Sequence, residues 1–308
     1  LTGKGWPKYH RSIPSHIDRY KLDHHVLDRW RPIVDSDIPD ADVVIATWWE
    51  TAEWVNNLSR SKGAKAYLVQ GHEVFEHLPI ERVKATYAMP LHRIVISTWL
   101  QNILSRDYGD KFTDIVQNGV DHTLFHAPVR GKQNRPTVGF LYSDAKVKGV
   151  DVTLAVLKRL RVNFPNMRIL SFGSVSPVNS ADWDSSIEFE LSPDQNRLRT
   201  IYAQCDVWMT SSRSEGFNLT AMEAMACRTP VVSTKTGWPV ESIVDYKNGL
   251  LVDIDDVEGI QGAISWFFHL SELEWKRVSD NALITVQDST WERSAQLFER
   301  VLQDYCNR

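Results

Sequence analysis

Short apolar runs bounded by turn residues recur along the chain, and helical patterns lie between them. Most of the runs do not alternate between apolar and polar residues, which is typical of parallel strands that are covered on both faces. The seven runs are "DVVIAT" (42–47), "KAYLVQ" (65–70), "RIVIS" (93–97), "PTVGFLY" (136–142), "RILSFG" (168–173), "DVWMTS" (206–211) and "PVVST" (230–234). Apolar residues follow helical spacing over 151–164 and 194–205. This alternation predicts an α/β fold with doubly wound sheets.

A polar stretch, "HAPVRGKQNRP" (126–136), interrupts this rhythm and has no apolar pattern. We interpret it as the linker between two sheets, since a chain of 308 residues is long enough for two domains. We predict that the domains cover residues 1–127 and 128–290. The first domain looks short, because a Rossmann-like half normally has a strand and a helix before the run at 42–47. Either the sequence is part of a longer chain or this half is abbreviated, and the pattern fits both.

Composition and charge exclude several classes of protein. The formal charge is −4 with a pI of about 6.2, so nothing in the overall balance indicates a nucleic-acid partner. No apolar run reaches the roughly 18 to 20 residues of a membrane span, and no signal peptide opens the chain. The cysteines Cys205, Cys227 and Cys306 are odd in number and lack metal-ligand spacing. We therefore expect a cytoplasmic protein with reduced, buried thiols and no bound metal.

The stretch 4–31 is rich in positive charge. It has seven Lys or Arg against three Asp, together with His10, His16, His24 and His25. Such a stretch would suit peripheral contact with the inner face of a membrane or with an anionic lipid-linked acceptor. A solvated loop and helix would have the same composition, and the histidines show no metal spacing.

Twelve tryptophans are many for this length, and two of them form the pair Trp48–Trp49. Aromatic rings line some carbohydrate sites, where they pack against the substrate. We nevertheless expect most of these side chains in the core or in interfaces.

The segment "SEGFNLTAMEA" (214–224) places two glutamates eight positions apart, with the start of a helix between them. Helical spacing predicts that one face of this helix is bound for the core; its members are Leu219, Met222, Met225 and Ala226. Glu223 borders that face, and a buried carboxylate without hydrogen-bond donors costs roughly several kcal/mol. The donors would lie on a ligand, or on a neighbouring backbone or arginine.

Ligands of open α/β sheets bind beyond the carboxyl ends of the strands, where helix N-termini present unpaired N–H groups. Gly216 would let the backbone approach a ligand closely. The N–H groups of Phe217, Asn218 and Leu219 would then suit a phosphate or a sugar hydroxyl. Carboxylates only accept hydrogen bonds, so the hydroxyls of a ribose or hexose are natural donors to Glu215 and Glu223.

The segment that begins at Ser214 resembles the E-x7-E signature of the retaining glycosyltransferases of family 4, which have the GT-B fold. Other resembling pieces follow in the expected order: "STWLQNIL" (97–104), "QNGVDHTLF" (117–125), "KGVDVTLAVLKRL" (148–160), "YAQCDVWMTSS" (202–212), "NGLLVD" (248–253) and "STWERSAQLFERVL" (289–302). The resemblance implies two Rossmann-like domains that face a central cleft, with a nucleotide-sugar donor on the C-terminal one. It also implies that the last helix, 291–308, crosses back onto the first domain.

The resemblance implies roles for individual residues. Glu223 would accept from the nucleotide ribose, Glu215 from the donor sugar, and Lys148 would contact the diphosphate. It also implies that the donor side includes Gly173 and that Asn118 lines the interdomain hinge. In the first domain His72 would be catalytic, with Gln70 as the alternative if the alignment slips by two.

Two departures from the family pattern affect the donor side. Members commonly have Gly-Arg where this chain has Gly139–Phe140, so Lys146 would have to supply the second charge without the bidentate fork of an arginine. A frequent glycine is replaced by Asn218, which tolerates unusual backbone angles better than most residues.

The sequence therefore predicts a retaining, metal-independent transferase that uses a UDP-, GDP- or dTDP-sugar and a glycan, lipid-linked or small-molecule acceptor, with no other cofactor. The alternatives are a degenerate GT-B protein that binds sugar nucleotides without turnover, and another GT-B enzyme such as a phosphorylase or epimerase. A metal-dependent transferase of another fold is a further alternative, because "PIVDSD" (32–37) resembles a strand that ends in a D-x-D site.

Overall fold

The computed structural model describes residues 22–177 and 183–307. In these ranges the strands are β1 (Val43–Ala46), β2 (Ala64–Val69), β3 (His92–Val95), β4 (Asp114–Ile115), β5 (Thr137–Leu141), β6 (Arg168–Gly173), β7 (Glu188–Leu191), β8 (Val207–Thr210), β9 (Val231–Thr234) and β10 (Gly249–Val252). The helices are α1 (Trp49–Asn57), α2 (Ile80–Thr86), α3 (Thr98–Tyr108), α4 (Val150–Asn163), α5 (Gln195–Ala203), α6 (Leu219–Ala226), α7 (Pro239–Ser242), α8 (Val257–His269), α9 (Glu272–Val286) and α10 (Trp291–Cys306).

The strands form two parallel sheets. The first has four strands in the order β1-β2-β3-β4, and the second has six in the order β10-β9-β8-β5-β6-β7. In the second sheet the chain adds β6 and β7 on one side of β5, and then β8, β9 and β10 on the other. This reversal creates a crevice beyond the carboxyl ends of β5 and β8, which is where ligands of open α/β sheets bind.

The predicted α/β fold is confirmed. All seven apolar runs are strands, and the helical patterns at 151–164 and 194–205 correspond to α4 and α5. The strands β4, β7 and β10 were not predicted, because β4 has only two residues and β7 is a half-exposed edge strand with little apolar signal. Short edge strands take their conformation from pairing with a neighbour rather than from their own sequence.

Buried apolar side chains pack on both faces of the sheets in two clusters, which include the fully buried rings of Tyr67 and Trp275. The three cysteines are free thiols. Cys205 and Cys227 are buried, as expected, but Cys306 is exposed, so the expectation was wrong there. The reason is its position in the last turn of α10, which buries none of its residues fully.

The segment 126–136 has neither helix nor strand, and its Arg130, Lys132 and Gln133 donate hydrogen bonds to the second half of the molecule. Arg130 donates hydrogen bonds to the carbonyl of Cys205 at 2.6 Å and to the hydroxyl of Thr229 at 2.8 Å. Its guanidinium also lies 4.6 Å from the ring centre of Trp275. The connection between the two sheets is therefore held against the second one rather than hanging free.

Helix α10 follows the second sheet in sequence but lies against the first. The Tyr305 hydroxyl donates to the carbonyl of Lys65 at 3.2 Å, and its ring stacks on His92 at 4.3 Å. At the other end of the helix the Ser294 hydroxyl donates to the carbonyl of Gln117 at 2.6 Å. These contacts join the end of the described chain to β2, β3 and the segment after β4.

Most of the basic stretch 4–31, including His10 and His16, lies outside the described residues. Among the helices that are described, none is both long and apolar enough to cross a membrane.

The anchoring of the linker leads to a prediction about stability. Arg130→Met should lower the free energy of unfolding by about 3 kcal/mol, because it leaves buried acceptors without a donor. Urea denaturation would measure the loss. Arg135→Met, an exposed arginine five residues away, is the control and should cost about 0.5 kcal/mol or less. Equal losses in the two variants would show that the Arg130 contacts do not anchor the linker.

Candidate functional site

The loop after β5 brings Lys148 to the crevice between β5 and β8. Gly149 follows it with a φ of 62°, and a Cβ there would come within 2.1 Å of the Ser211 carbonyl oxygen. Only a glycine fits both the backbone angle and the space. The turn therefore packs directly on the end of β8, and the Lys148 side chain points along the loop that follows that strand.

The loop after β8 supplies the partner of this lysine. Lys148 Nζ lies 2.7 Å from Glu215 Oε1, and the Ser212 hydroxyl donates to the same oxygen at 2.7 Å. Both charged side chains are largely shielded from solvent. The structure thus brings together two of the predicted residues as an ion pair, which a bound substrate would have to share or displace.

The N-terminus of α6 leaves backbone donors unused. Asn218 has a φ of 83°, and its side chain accepts a hydrogen bond from the Ala221 N–H and donates to Thr210. It therefore provides the unusual backbone angle and caps the helix. Within the described residues no hydrogen bond is formed by the N–H groups of Phe217, Asn218 and Leu219. These groups and the helix dipole favour a negatively charged ligand.

A tyrosine is the protein's own donor to Glu223. The Tyr202 hydroxyl lies 2.7 Å from Glu223 Oε2, and no further hydrogen bond to this carboxylate occurs among the described residues. Burial raises the pKa of Glu223 to about 7. Neither the arginine nor the backbone partner that the sequence left open is found among the described residues.

The predicted core face of α6 is partly wrong. Met222, Met225 and Ala226 are buried, but Leu219 is 37% exposed. Leu219 is the first residue of the helix, so no preceding turn covers its side chain.

Gly216 lies where the two halves of the molecule touch. A Cβ at this position would come within 1.8 Å of the Gln70 carbonyl oxygen, and the Ser97 hydroxyl donates to the Gly216 carbonyl at 2.7 Å. The close approach in the structure is thus to the protein's own backbone. A ligand contact at Gly216 stays a prediction.

A cleft of about 380 Å³ opens beside this contact, and both halves line it. Lys148 and Glu215 come from the second sheet, while His72 and Gln70 come from the loop after β2. Both candidates of the first half therefore face the same space. His72 Nε2 lies 2.8 Å from the Tyr108 hydroxyl, and burial lowers the pKa of the imidazole, which keeps it neutral at pH 7.

Glu73 is a cleft residue that sequence reasoning missed. Its carboxylate is buried and accepts hydrogen bonds from the Trp49 N–H at 2.9 Å and the Tyr67 hydroxyl at 3.1 Å. Burial raises the pKa of Glu73 to about 7. A charged residue directly after "LVQGH" was the available signal, but only the fold shows that α1 begins against it.

Three predicted donor-side residues lie away from this cleft. Lys146 is exposed and lines a separate cavity with Asp151 and Arg213. Asn118 lines a further cavity near the start of α10. A Cβ on Gly173 would come within 2.5 Å of a neighbouring strand's carbonyl, so its glycine serves packing. Their roles toward a donor stay predictions.

Arg213 is a guanidinium on the donor side that the sequence reasoning overlooked. It pairs with Asp151 and Asp255 at 2.7 Å each and donates to the Lys146 carbonyl at 2.8 Å. These contacts use the N–H groups of the Arg213 guanidinium and hold the loops after β5 and β8 together.

Both aspartates of the "DSD" segment (35–37) form contacts with other residues of the protein. Asp37 forms an ion pair with Arg31 at 2.6 Å, and Asp35 accepts from the Ser59 N–H at 3.0 Å. In the described ranges, 22–177 and 183–307, no group of three or more His, Cys, Asp or Glu is placed to hold a metal ion.

The second half of the molecule matches a known protein family. The family described as "Glycosyl transferases group 1" matches residues 123–283, which is more than half of the chain and includes β5 to β10. The chain belongs to this family. The matched region contains Lys148, Glu215 and Glu223.

Individual relatives are distant. An uncharacterized glycosyltransferase of Methanocaldococcus jannaschii is 24% identical over 68% of this chain and 59% of its own length. The D-inositol 3-phosphate glycosyltransferase of Mycolicibacterium smegmatis is 30% identical over 54% of this chain and 42% of its own. The chain thus spans about half the length of these curated relatives.

Solved structures show the fold of both halves. Sucrose-phosphate synthase of Thermosynechococcus elongatus superposes with a TM-score of 0.71 at 21% identity, over 87% of this chain and 74% of its own. HepE of Anabaena, in complex with UDP and glucose, has a TM-score of 0.71 at 17% identity, over 85% of this chain and 78% of its own. The predicted GT-B fold is confirmed, which excludes the metal-dependent transferase of another fold.

The buried carboxyls predict an unusual pH dependence of stability. The pKa values of Glu73 and Glu223 are raised from 4.5 to about 7, so the folded state binds these protons more tightly than the unfolded chain does. The free energy of unfolding should therefore fall as pH rises from about 4.5 to about 7. Glu73→Gln and Glu223→Gln should each reduce this total fall in the free energy of unfolding by on the order of 1 to 3 kcal/mol.

Urea denaturation at pH 5, 6, 7 and 8 would measure the slope. Glu81→Gln changes an exposed carboxylate of α2 and should leave the slope as in the wild type. A double Gln variant with the wild-type slope would contradict the assignment of the two buried protons.

Proposed function

We propose that the chain is a retaining hexosyltransferase of family 4 that moves a sugar from a nucleotide-sugar donor to an acceptor without a metal ion. The observation that carries this proposal is the Lys148–Glu215 ion pair at the switch point of the second sheet. Glu215 lies eight positions before Glu223, which matches the E-x7-E signature. The fold of HepE, which binds UDP and glucose, supports a nucleotide sugar at this edge.

The charges fit the chemistry of sugar transfer. The bond between the anomeric carbon and the phosphate oxygen breaks, and negative charge develops on the departing diphosphate. Lys148 and the free N–H groups at the start of α6 would stabilise that charge. The acceptor oxygen attacks from the same face and forms the new glycosidic bond, while its proton passes to the diphosphate. The anomeric configuration is thereby retained without a carboxylate nucleophile.

The remaining site residues would contact other parts of the donor. Glu215 would face the donor sugar, Glu223 would accept from the ribose, and His72 would act across the cleft as a neutral imidazole. The donor would be UDP-, GDP- or dTDP-linked. The acceptor would be a glycan, a lipid-linked sugar or a small molecule, and the reaction would serve cytoplasmic carbohydrate biosynthesis.

We also propose the domain boundaries 1–127 and 128–290, with helix 291–308 returning to the first domain. The contacts of α10 with β2 and β3 support that arrangement. Peripheral membrane contact through the stretch 4–31 would bring the enzyme to lipid-linked acceptors.

A degenerate protein that binds sugar nucleotides without turnover is the second candidate. It is favoured by the absence of Gly-Arg, since this chain has Gly139–Phe140 at that position. A phosphorylase or epimerase of this fold has no specific support in the described residues. Nucleotide release from a panel of UDP-, GDP- and dTDP-sugars separates an enzyme from a binding protein.

The role of Lys148 can be tested directly. Lys148→Ala should lower kcat/KM for the donor by at least about 100-fold, because it removes charge from the developing diphosphate. Lys146→Ala removes the other lysine of the same turn, which is exposed and would supply only a second charge, so its effect on kcat/KM should be the smaller of the two. Thermal unfolding shows whether both variants are folded.

The opposite ranking, with Lys146→Ala inactive and Lys148→Ala near normal, would place the diphosphate elsewhere. These assays should run in EDTA, because we propose no metal requirement. Full and reversible loss of wild-type turnover in EDTA would contradict that part of the proposal.

The two glutamates should affect different kinetic constants. If Glu223 holds the ribose, its contact is similar before and during reaction, so Glu223→Gln should raise the donor KM about tenfold with little change in kcat. Glu215 faces the sugar that gains positive charge, so Glu215→Gln should lower kcat more than it raises KM. Steady-state kinetics with isothermal titration of the nucleotide would measure both.

Tyr202→Phe separates a binding role of Glu223 from a structural one, because it removes the protein's described donor to this carboxylate. It should affect stability more than donor binding. If Glu223→Gln unfolds the protein while the folded fraction binds nucleotide normally, the carboxylate is structural.

A further inference from the structure

The imidazole of His72 contacts two tyrosines of the first half. Its Nε2 lies 2.8 Å from the Tyr108 hydroxyl. Its ring stacks on the buried ring of Tyr87 at 5.8 Å, and the rings of Tyr87 and Tyr108 are 4.8 Å apart. One directed hydrogen bond and one aromatic contact therefore hold the imidazole at the edge of the cleft.

Tyr108 is the last residue of α3, a helix with a defined stop and a defined start. Gly109 follows it with a φ of 69°, a left-handed angle that ends the helix. At the other end Ser97 is the N-cap, and its hydroxyl donates to the carbonyl of Gly216 at 2.7 Å. The start of α3 is thus fastened to the loop after β8, in the second half.

A second contact across the halves involves the first turn of α3. The Thr98 N–H donates to Glu241 Oε1 at 3.0 Å, and the Thr98 hydroxyl donates to the other oxygen of that carboxylate. A carboxylate is favourable there, because the free N–H groups of a helix N-terminus carry partial positive charge. Helix α3 therefore extends from the contact between the halves to Tyr108, and its regular backbone fixes where the Tyr108 hydroxyl lies.

The direction of the hydrogen bond follows from the chemistry of the two groups. Burial raises the pKa of Tyr108, so its hydroxyl keeps its proton at neutral pH. Burial lowers the pKa of His72; the charge of Asp107 opposes this shift, whereas Arg106 and Lys84 add to it. A neutral imidazole has one N–H and one nitrogen with a free lone pair. That lone pair is a stronger acceptor than a phenol oxygen, so the Tyr108 hydroxyl donates to Nε2.

We propose that Tyr108 is a positioning residue that fixes His72 in the tautomer with its proton on Nδ1. Neutral histidine in water favours the proton on Nε2, so the hydroxyl reverses the choice of nitrogen. His72 then offers Nδ1–H to a substrate in the cleft, and this nitrogen has no lone pair with which to take up a proton. The inference rests on the proposed function and makes His72 a hydrogen-bond donor in it rather than a general base. The proposed transfer has no need of such a base, since the proton of the acceptor passes to the diphosphate.

NMR spectra that correlate the ring nitrogens and carbon-bound hydrogens of isotope-labelled histidine show which nitrogen has the proton. We expect Nδ1 to be protonated in wild-type His72 at pH 8, without substrate, and Nε2 in Tyr108→Phe. His72→Gln identifies the signals. Tyr87→Phe is the matched control, because this hydroxyl binds the backbone of the same loop: it accepts from the Glu73 N–H at 2.9 Å and donates to the Gly71 carbonyl at 3.3 Å. The His72 tautomer should be unchanged in that variant.

Kinetics test whether the hydrogen bond acts through His72. Tyr108→Phe should lower kcat/KM about three- to tenfold, as expected for the loss of one neutral hydrogen bond, in a protein whose thermal unfolding matches the wild type. In a His72→Gln background the same substitution should change kcat/KM by less than about twofold. A merely structural effect of Tyr108 would persist in that background.

A wild type with the His72 proton on Nε2 would overturn the inference, and so would a Tyr108→Phe variant that keeps the proton on Nδ1. Equal losses of kcat/KM from Tyr108→Phe in the wild-type and His72→Gln backgrounds would also overturn it, while donor turnover leaves the proposed function standing. A wild type that turns over no nucleotide sugar would refute the proposed function. The spectra of the free protein would still decide the tautomer, because they need no substrate.

Discussion

The contact at Gly216 determines how the two halves of the site face each other. A Cβ on this residue would come within 1.8 Å of the Gln70 carbonyl oxygen, and the Ser97 hydroxyl donates a hydrogen bond to its carbonyl. As a result the loop of Glu215 lies directly against the loop of His72. The cleft exists because the carboxyl ends of β2, β3 and β8 meet there, and a residue larger than glycine would separate its walls.

Buried carboxyl groups accept hydrogen bonds that fasten neighbouring segments in both halves of the molecule. Glu73 binds the first N–H of α1, and Glu223 binds the Tyr202 hydroxyl behind α6. Asp206, whose pKa burial raises to about 6, accepts hydrogen bonds from Gln133 and Thr137 at the start of the second sheet. Each group has lost water on burial and accepts a few directed hydrogen bonds instead. Such bonds fix the geometry of a loop more sharply than apolar packing does. The proposed transfer would require that precision.

The two halves relate to function in different ways. The family match covers 123–283, the region that contains the proposed donor residues. The first half shares only its fold with solved structures, at identities of 21% and below for sucrose-phosphate synthase and HepE.

The sequence by itself determined the strand–helix order, the α/β class and the local chemistry of the loop after β8. Those features depend on short-range patterns: apolar runs of five to seven residues, helical spacing, and a glycine beside a helix start. The pairing of Glu223 with Tyr202 and the burial of Glu73 could not be predicted, because each joins segments that are distant along the chain or depends on a neighbouring helix. The exposure of Leu219 and the separation of Lys146 from the cleft also depend on where whole elements end. Only the tertiary structure decides which loops meet, since that follows from the strand order of two sheets and from how they pack.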